Sequence, residues 1–163
     1  VIAETVFAWA GAAETSALAA AVRMQPWIYP AANLVHVLGV SLLVGAIMAL
    51  DLRLLGAFRR SLPAAGAVDL LVPVAVVGAI LAVPSGILLY LPDAVPLTGH
   101  LLMQVKAGLL VLGLANAVAF HLLWHRRLAR WDAGAPPVAR AQSVFSIAIW
   151  LGVLSCGRLI AYV

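Results

Sequence analysis

Trp27 to Leu50 is a run of 24 residues without a formal charge, and Leu70 to Pro92 is a second run of 23. Ala94 to His125 carries one formal charge, Lys106, and Ala141 to Val163 carries one, Arg158. A helix needs about 20 mostly apolar residues to cross a bilayer. Strands of a membrane barrel would instead alternate in segments of about ten. These runs are continuous, so the expected class is all-α, an integral membrane four-helix bundle. Its spans are expected at roughly residues 28–50, 70–92, 98–125 and 140–162. They use up most of the 163 residues and leave no room for a second domain.

Composition agrees. The chain is 65% hydrophobic and 10% charged, with a mean hydropathy of +1.10. Soluble domains have about 45–50% apolar and about 25% charged residues. A soluble enzyme domain and a disordered segment are excluded. Cys156 is the single cysteine, which excludes an internal disulfide, a Cys-x-x-Cys-His haem attachment and a cysteine-based metal cluster.

The net charge of +4 and pI near 10.0 do not point to nucleic acid, because the basic residues sit in particular loops. Arg53, Arg59 and Arg60 follow the first span, and Arg126, Arg127, Arg130 and Arg140 lie between the third and fourth. The opposite loop, Pro92 to Thr98, has none. Basic loops stay in the cytoplasm. The expected location is therefore the bacterial inner membrane, with the lipid bilayer as surroundings and both termini outside. Trp27, Tyr29, Tyr90 and Tyr162 fall at the expected outer interface, and Trp124 and Trp131 at the inner one. Residues 1–25 contain Glu4 and Glu14 and no basic stretch, so they do not read as a signal peptide. They are expected to form a short amphipathic interfacial segment, with Glu14-Thr15-Ser16 capping a helix from Ala17 to Met24.

An ionisable group inside a membrane is costly and is a functional-site hypothesis by default. His36 and Lys106 each lie eight residues into spans that run in the same direction. At about 1.5 Å per residue they share a level roughly 12 Å below the outer boundary. Ser85 and Arg158 return to that half on the other two spans. Asn33 lies one turn above His36, and His100 lies nearer the surface. No carboxylate but the loop residue Asp93 accompanies this set, so an anionic ligand would balance it. Haem b suits these residues. His36 is the favoured iron ligand, and Lys106 or His100 is a second ligand or a propionate partner. Arg158 is a propionate partner. The blander alternative has Lys106 and Arg158 snorkelling to the interface while His36 bonds a backbone carbonyl. A weaker metal site is formed by His121 and His125, spaced i, i+4, with Asp51 at the same inner depth. Its alternative is an Asp–His and Asp–Arg network. Cys156 and Met103 read as core, and Gly39, Gly45, Gly108, Gly113, Gly152 and Gly157 as points of close helix approach.

The stretch with Tyr29-Pro30, Asn33, His36, Gly39, Gly45 and Asp51 to Gly56 resembles a bacterial family of uncharacterised small four-helix membrane proteins. Lys106, Asn116 and His121 continue the likeness. More distantly, the order His36, Arg53, Lys106, His121 is similar to the HemJ-type protoporphyrinogen oxidases. That resemblance implies His36 as a haem b ligand and Lys106 as an essential residue. The basic, aromatic-rich stretch around the family's arginine is absent here, and Asp51 stands beside Arg53. The copper-resistance D membrane proteins share the His-and-Gly first span but carry a methionine-rich path that this chain lacks. The expected function is a haem b-binding, cytochrome-like electron-transfer subunit working with a redox partner protein or quinone, as an oligomer or part of a larger complex. The alternatives are a HemJ-like porphyrinogen oxidase, a cofactor-free structural or assembly subunit, and transport of a metal or small solute.

Overall fold

The computed structural model describes residues 2–124, 127, 128, 131 and 134–162. Among these the regular elements are all helical. α1 is Ile2–Glu14, α2 Ala17–Met24, α3 Ile28–Leu55 and α4 Ala64–Tyr90. After a 3-10 turn at Leu91–Asp93 come α5, Ala94–Gly99, α6, Leu101–Trp124, and α7, Pro137–Leu159. α3, α6 and α7 are long and apolar enough to cross a membrane, as is α4 with its continuation to Gly99. Their outward surfaces are apolar: Leu34 is 72% exposed and Leu122 77%. Such faces are stable against lipid and not against water.

Lipid tails are as apolar as leucine, so helices in a bilayer associate through close packing rather than through the hydrophobic effect. α3 and α4 form the most intimate pair. At their crossing Gly39 faces Gly78. A Cβ on Gly39 would lie 2.5 Å from the Ala82 nitrogen, and one on Gly78 would lie 2.4 Å from the Leu43 nitrogen. The two backbones touch, and side chains are excluded there. α7 packs on the other side of α3 through Val44, Ile149, Trp150 and Val153. α6 packs on α7, where Gly113 lies against Ile149 and Trp150. The packed order is therefore α4–α3–α7–α6, and α4 and α6 share no extensive contact. Gly45 and Gly108 correct the sequence reading: a Cβ at either would meet nothing within 4 Å. They lie on open helix faces, not at contacts.

The end of the bundle that carries the α3–α4 loop has its own core of Leu54, Ala64, Val68, Leu128, Trp131 and Ala139, edged by Phe120 and Trp124. Trp131 is buried in it, with its ring 5.3 Å from that of Trp124. Trp124 Nε1 donates to Gln142 Oε1 at 2.9 Å, and Gln142 Nε2 donates to the Asn116 carbonyl at 3.1 Å, joining α6 to α7.

Three helix ends run past the expected span limits, one of them the start of α7 at Pro137 rather than 140. α3 continues beyond Leu50 through Asp51 and Arg53, because both are buried in the bundle and gain from a completed backbone ladder. It stops at Gly56, whose φ of 118° closes the helix through its N–H to the Arg53 and Leu52 carbonyls. α4 starts at Ala64, six residues ahead of the expected Leu70, and Pro73 and Pro84 both lie within it.

The N-terminal segment is two helices bent by 53°, with Ser16 capping α2 by accepting from the Ala19 N–H at 3.2 Å. By length and composition the bent pair also qualifies as a fifth span. It packs on the α4–α6 connection. Glu14 Oε2 accepts from the Val95 N–H at 2.7 Å, and Arg23 Nη1 donates to the Pro92 carbonyl at 3.0 Å.

Candidate functional site between the helices of the bundle

The site is built around His36. Its ring lies against α4, and Nδ1 is 2.9 Å from the Ala82 carbonyl and 3.3 Å from Ser85 Oγ. A carbonyl only accepts, so Nδ1 carries the proton and donates to it. Nε2 then holds the lone pair, and it has no hydrogen-bond partner among the described residues. This tautomer, fixed by Nδ1–H to a backbone oxygen, is the usual state of a metal-ligating histidine.

Local sequence explains the cradle. Pro84 has no N–H, so the Ile80 carbonyl loses its helical donor. Ser85 back-bonds one turn up, donating to the Leu81 carbonyl, with the Ala82 carbonyl at 3.2 Å. Gly86 supplies the room: a Cβ there would lie 2.9 Å from His36 Cε1 and 3.2 Å from Nδ1. Gly86→Ala should push the ring off α4 and release Nδ1 from Ala82. Nitrogen chemical shifts of selectively labelled histidine should then show a mixture of tautomers in place of the single Nδ1–H form.

Lys106 reaches the same region from α6. Its half-buried side chain lies along α7 at Gly157, where a Cβ would be 3.3 Å from Nζ. The ammonium lies within electrostatic range of His36 and of the buried Cys156 thiol. His36 and Ser85 are in contact across α3 and α4, and Lys106 approaches from α6 along the face of α7.

Three other expected members stand apart. Arg158 is exposed; it stacks on the Tyr162 ring with 4.7 Å to the centroid and donates to the Tyr162 hydroxyl. That is the outward, snorkelling geometry. His100 Nδ1 accepts from the Leu102 N–H at 3.2 Å and so serves the start of α6. Its proton is thereby assigned to Nε2, which leaves no lone pair for a metal. Asn33 is exposed one turn above His36. The sequence reading missed the Ala82 carbonyl and Gly86; the signal that could have found them is Pro84-Ser85-Gly86, a helix breaker, a back-bonder and a gap in a row.

At the other end of the bundle Asp51 is 7% exposed and Arg53 1%. Arg53 Nε donates to the Leu62 carbonyl at 2.5 Å, tying α3 to the α3–α4 loop. Reading Arg53 as a loop charge was therefore incorrect. Ser143 and Ser146 of α7, both buried, face the Asp51 carboxylate. His121 is exposed, and His125 lies outside the described residues. Among the described residues no three His, Cys, Asp or Glu side chains gather as a metal site. Ser143 Oγ and Asp51 Oδ2 are both buried, and the hydroxyl is the donor that faces this carboxylate. Ser143→Ala removes a donor from a buried carboxylate and should destabilise the chain by about 1–3 kcal/mol. Thermal unfolding in detergent checks this; an unchanged melting temperature would show that the hydroxyl does not serve Asp51.

The geometry defines an all-α, multi-pass membrane protein with a polar site set between helices in one half of its bundle. No protein-family model, no curated protein and no solved structure matches the chain.

Proposed function

We propose that the chain is a haem b-binding, cytochrome-like electron-transfer subunit of the bacterial inner membrane, with His36 as axial ligand. The observation that carries this is the His36 tautomer: Nδ1–H is committed to the Ala82 carbonyl, and Nε2 is left with its lone pair and no partner among the described residues. Bound haem would supply one-electron redox chemistry. The chain's own residues would do the rest. Gly86 and Ala82 orient the ring, and Ser85 holds the turn of α4 open beside it. Lys106 offers a cation to a propionate. Arg158 is outside this set, as is His100, so Lys106 in its neutral form or a group from a partner would supply any second ligand.

α4 and α6 do not close on each other, which suits lateral access from the bilayer, and so a quinone or a membrane redox partner as electron donor or acceptor. The basic loops would lie in the cytoplasm, with the haem in the outer half. The resemblance to the HemJ-type oxidases supports haem, and the missing basic, aromatic-rich stretch speaks against porphyrinogen oxidation.

A second reading, a cofactor-free subunit of a larger assembly, is favoured by α6, which of the long helices packs on α7 alone and has the most open flank. Haemin titration of the purified, detergent-solubilised chain separates the two. The haem reading predicts saturation at one haem per chain with a change in the Soret band. Featureless, non-saturating uptake by a folded chain would favour the structural reading.

A further inference from the structure

At the opposite, basic end of the bundle lies a partly enclosed cavity of about 240 Å³. Its walls are Leu54, Leu55 and Gly56 at the end of α3, Arg59 in the following loop, Gly134 and Ala135 ahead of α7, and Arg140 in the first turn of α7. Two arginines thus line one space, one from the loop after α3 and one from the first turn of α7, with Leu54 and Leu55 beside them.

The loops are shaped to hold it. Gly56 has φ of 118° and Gly134 φ of 148°, backbone that other residues rarely adopt. At Gly134 a Cβ would lie 3.1 Å from Arg59 Nη1, so the glycine also gives the guanidinium its seat. The cavity lies where the end of α3 meets the start of α7. Arginine forks match phosphate oxygens in two parallel hydrogen bonds. Basic pockets at helix ends are suited to anionic headgroups.

We propose that this cavity binds a phosphate-bearing anion, with Arg59 and Arg140 as its ligands and the leucine wall beside the ester's carbon chain. The inference rests on no part of the haem reading and concerns the other end of the bundle. Two sources share the chemistry, the headgroup of an anionic phospholipid and free phosphate.

The test uses the full chain in nanodiscs of mixed phosphatidylglycerol and phosphatidylcholine, followed by native mass spectrometry of retained lipid. A headgroup site predicts selective retention of phosphatidylglycerol, falling about fivefold for each of Arg59→Gln and Arg140→Gln. Arg60→Gln, an exposed loop position outside the cavity, should leave retention unchanged. A free-phosphate site predicts no lipid selectivity, but a rise in melting temperature with inorganic phosphate over chloride at equal ionic strength, lost in the same two variants. Should either variant fail to fold, the unaltered chain still decides. It must show either lipid selectivity that weakens with salt or the phosphate-specific rise. Lipid retention that is unselective, or insensitive to both substitutions, together with no phosphate-specific stabilisation, overturns the proposal.

Discussion

Gly78→Val is expected to pull α3 away from α4 and to unfold much of the bundle. The reason is the target of the new atoms. A Cβ at this position meets the Leu43 nitrogen at 2.4 Å, the Gly39 carbonyl at 2.7 Å and the Leu43 Cα at 2.8 Å. All three belong to backbone, so no rotamer change can relieve the overlap and one helix has to move. Overpacking of this kind costs about 3 kcal/mol. In a bilayer there is little hydrophobic drive to hold the helices once the close contact opens. The comparison is Gly45→Ala on the same helix as Gly39. Its Cβ meets nothing within 4 Å, and alanine is the better helix former by about 1 kcal/mol. The two substitutions should therefore shift detergent melting curves in opposite directions. Equal destabilisation by both would contradict the packing described for α3 and α4.

His36→Ala is the second large effect, and it should fall on ligand binding rather than on the fold. The ring is only half-buried, and its structural bonds run to one carbonyl and one serine. Hydrogen bonds between membrane helices contribute about 0.6 kcal/mol on average, so the melting temperature should move little. Haem affinity should fall by more than about 100-fold, because even outer partners of a metal ligand are worth about 10- to 100-fold. Added imidazole should restore part of the haem spectrum in the alanine variant by supplying the missing nitrogen. His100→Ala should leave haem binding in place, since His100 serves the start of α6. If the loss came with His100→Ala and not with His36→Ala, the axial ligand would have to be reassigned.

The architecture was legible because bilayer thickness and residue hydrophobicity set it almost alone. Four long apolar runs, two uncharged and two with a single charge each, became α3, α4, α6 and α7. What escaped was everything that depends on which faces meet. Asp51 and Arg53 read as the end of a span and the start of a loop, yet α3 continues through both and buries them. Only the approach of α7, with its small Ser143 and Ser146, makes that burial possible. Gly39 and Gly45 look alike in sequence and differ completely in surroundings, because the face a helix turns to its neighbour is a tertiary property. Within the candidate site, depth along the spans was enough to group His36, Ser85 and Lys106. Arg158 sits at a similar depth on α7, but its helix face points it to Tyr162 and away from the bundle. Likewise His100 holds its position for a backbone reason, the unsatisfied N–H groups of the first turn of α6. Depth is readable from residue count; rotation about the helix axis is not.

The central claim is that His36 presents a free Nε2 to haem iron. The most direct test is a dithionite-reduced-minus-oxidised absorption spectrum of the purified chain and its His36→Ala variant, each after supply of haemin. The account predicts a Soret shift and a b-type α band in the unaltered chain, and their loss in the variant at unchanged helicity. A folded, monodisperse preparation of the unaltered chain that stays spectrally silent would contradict it.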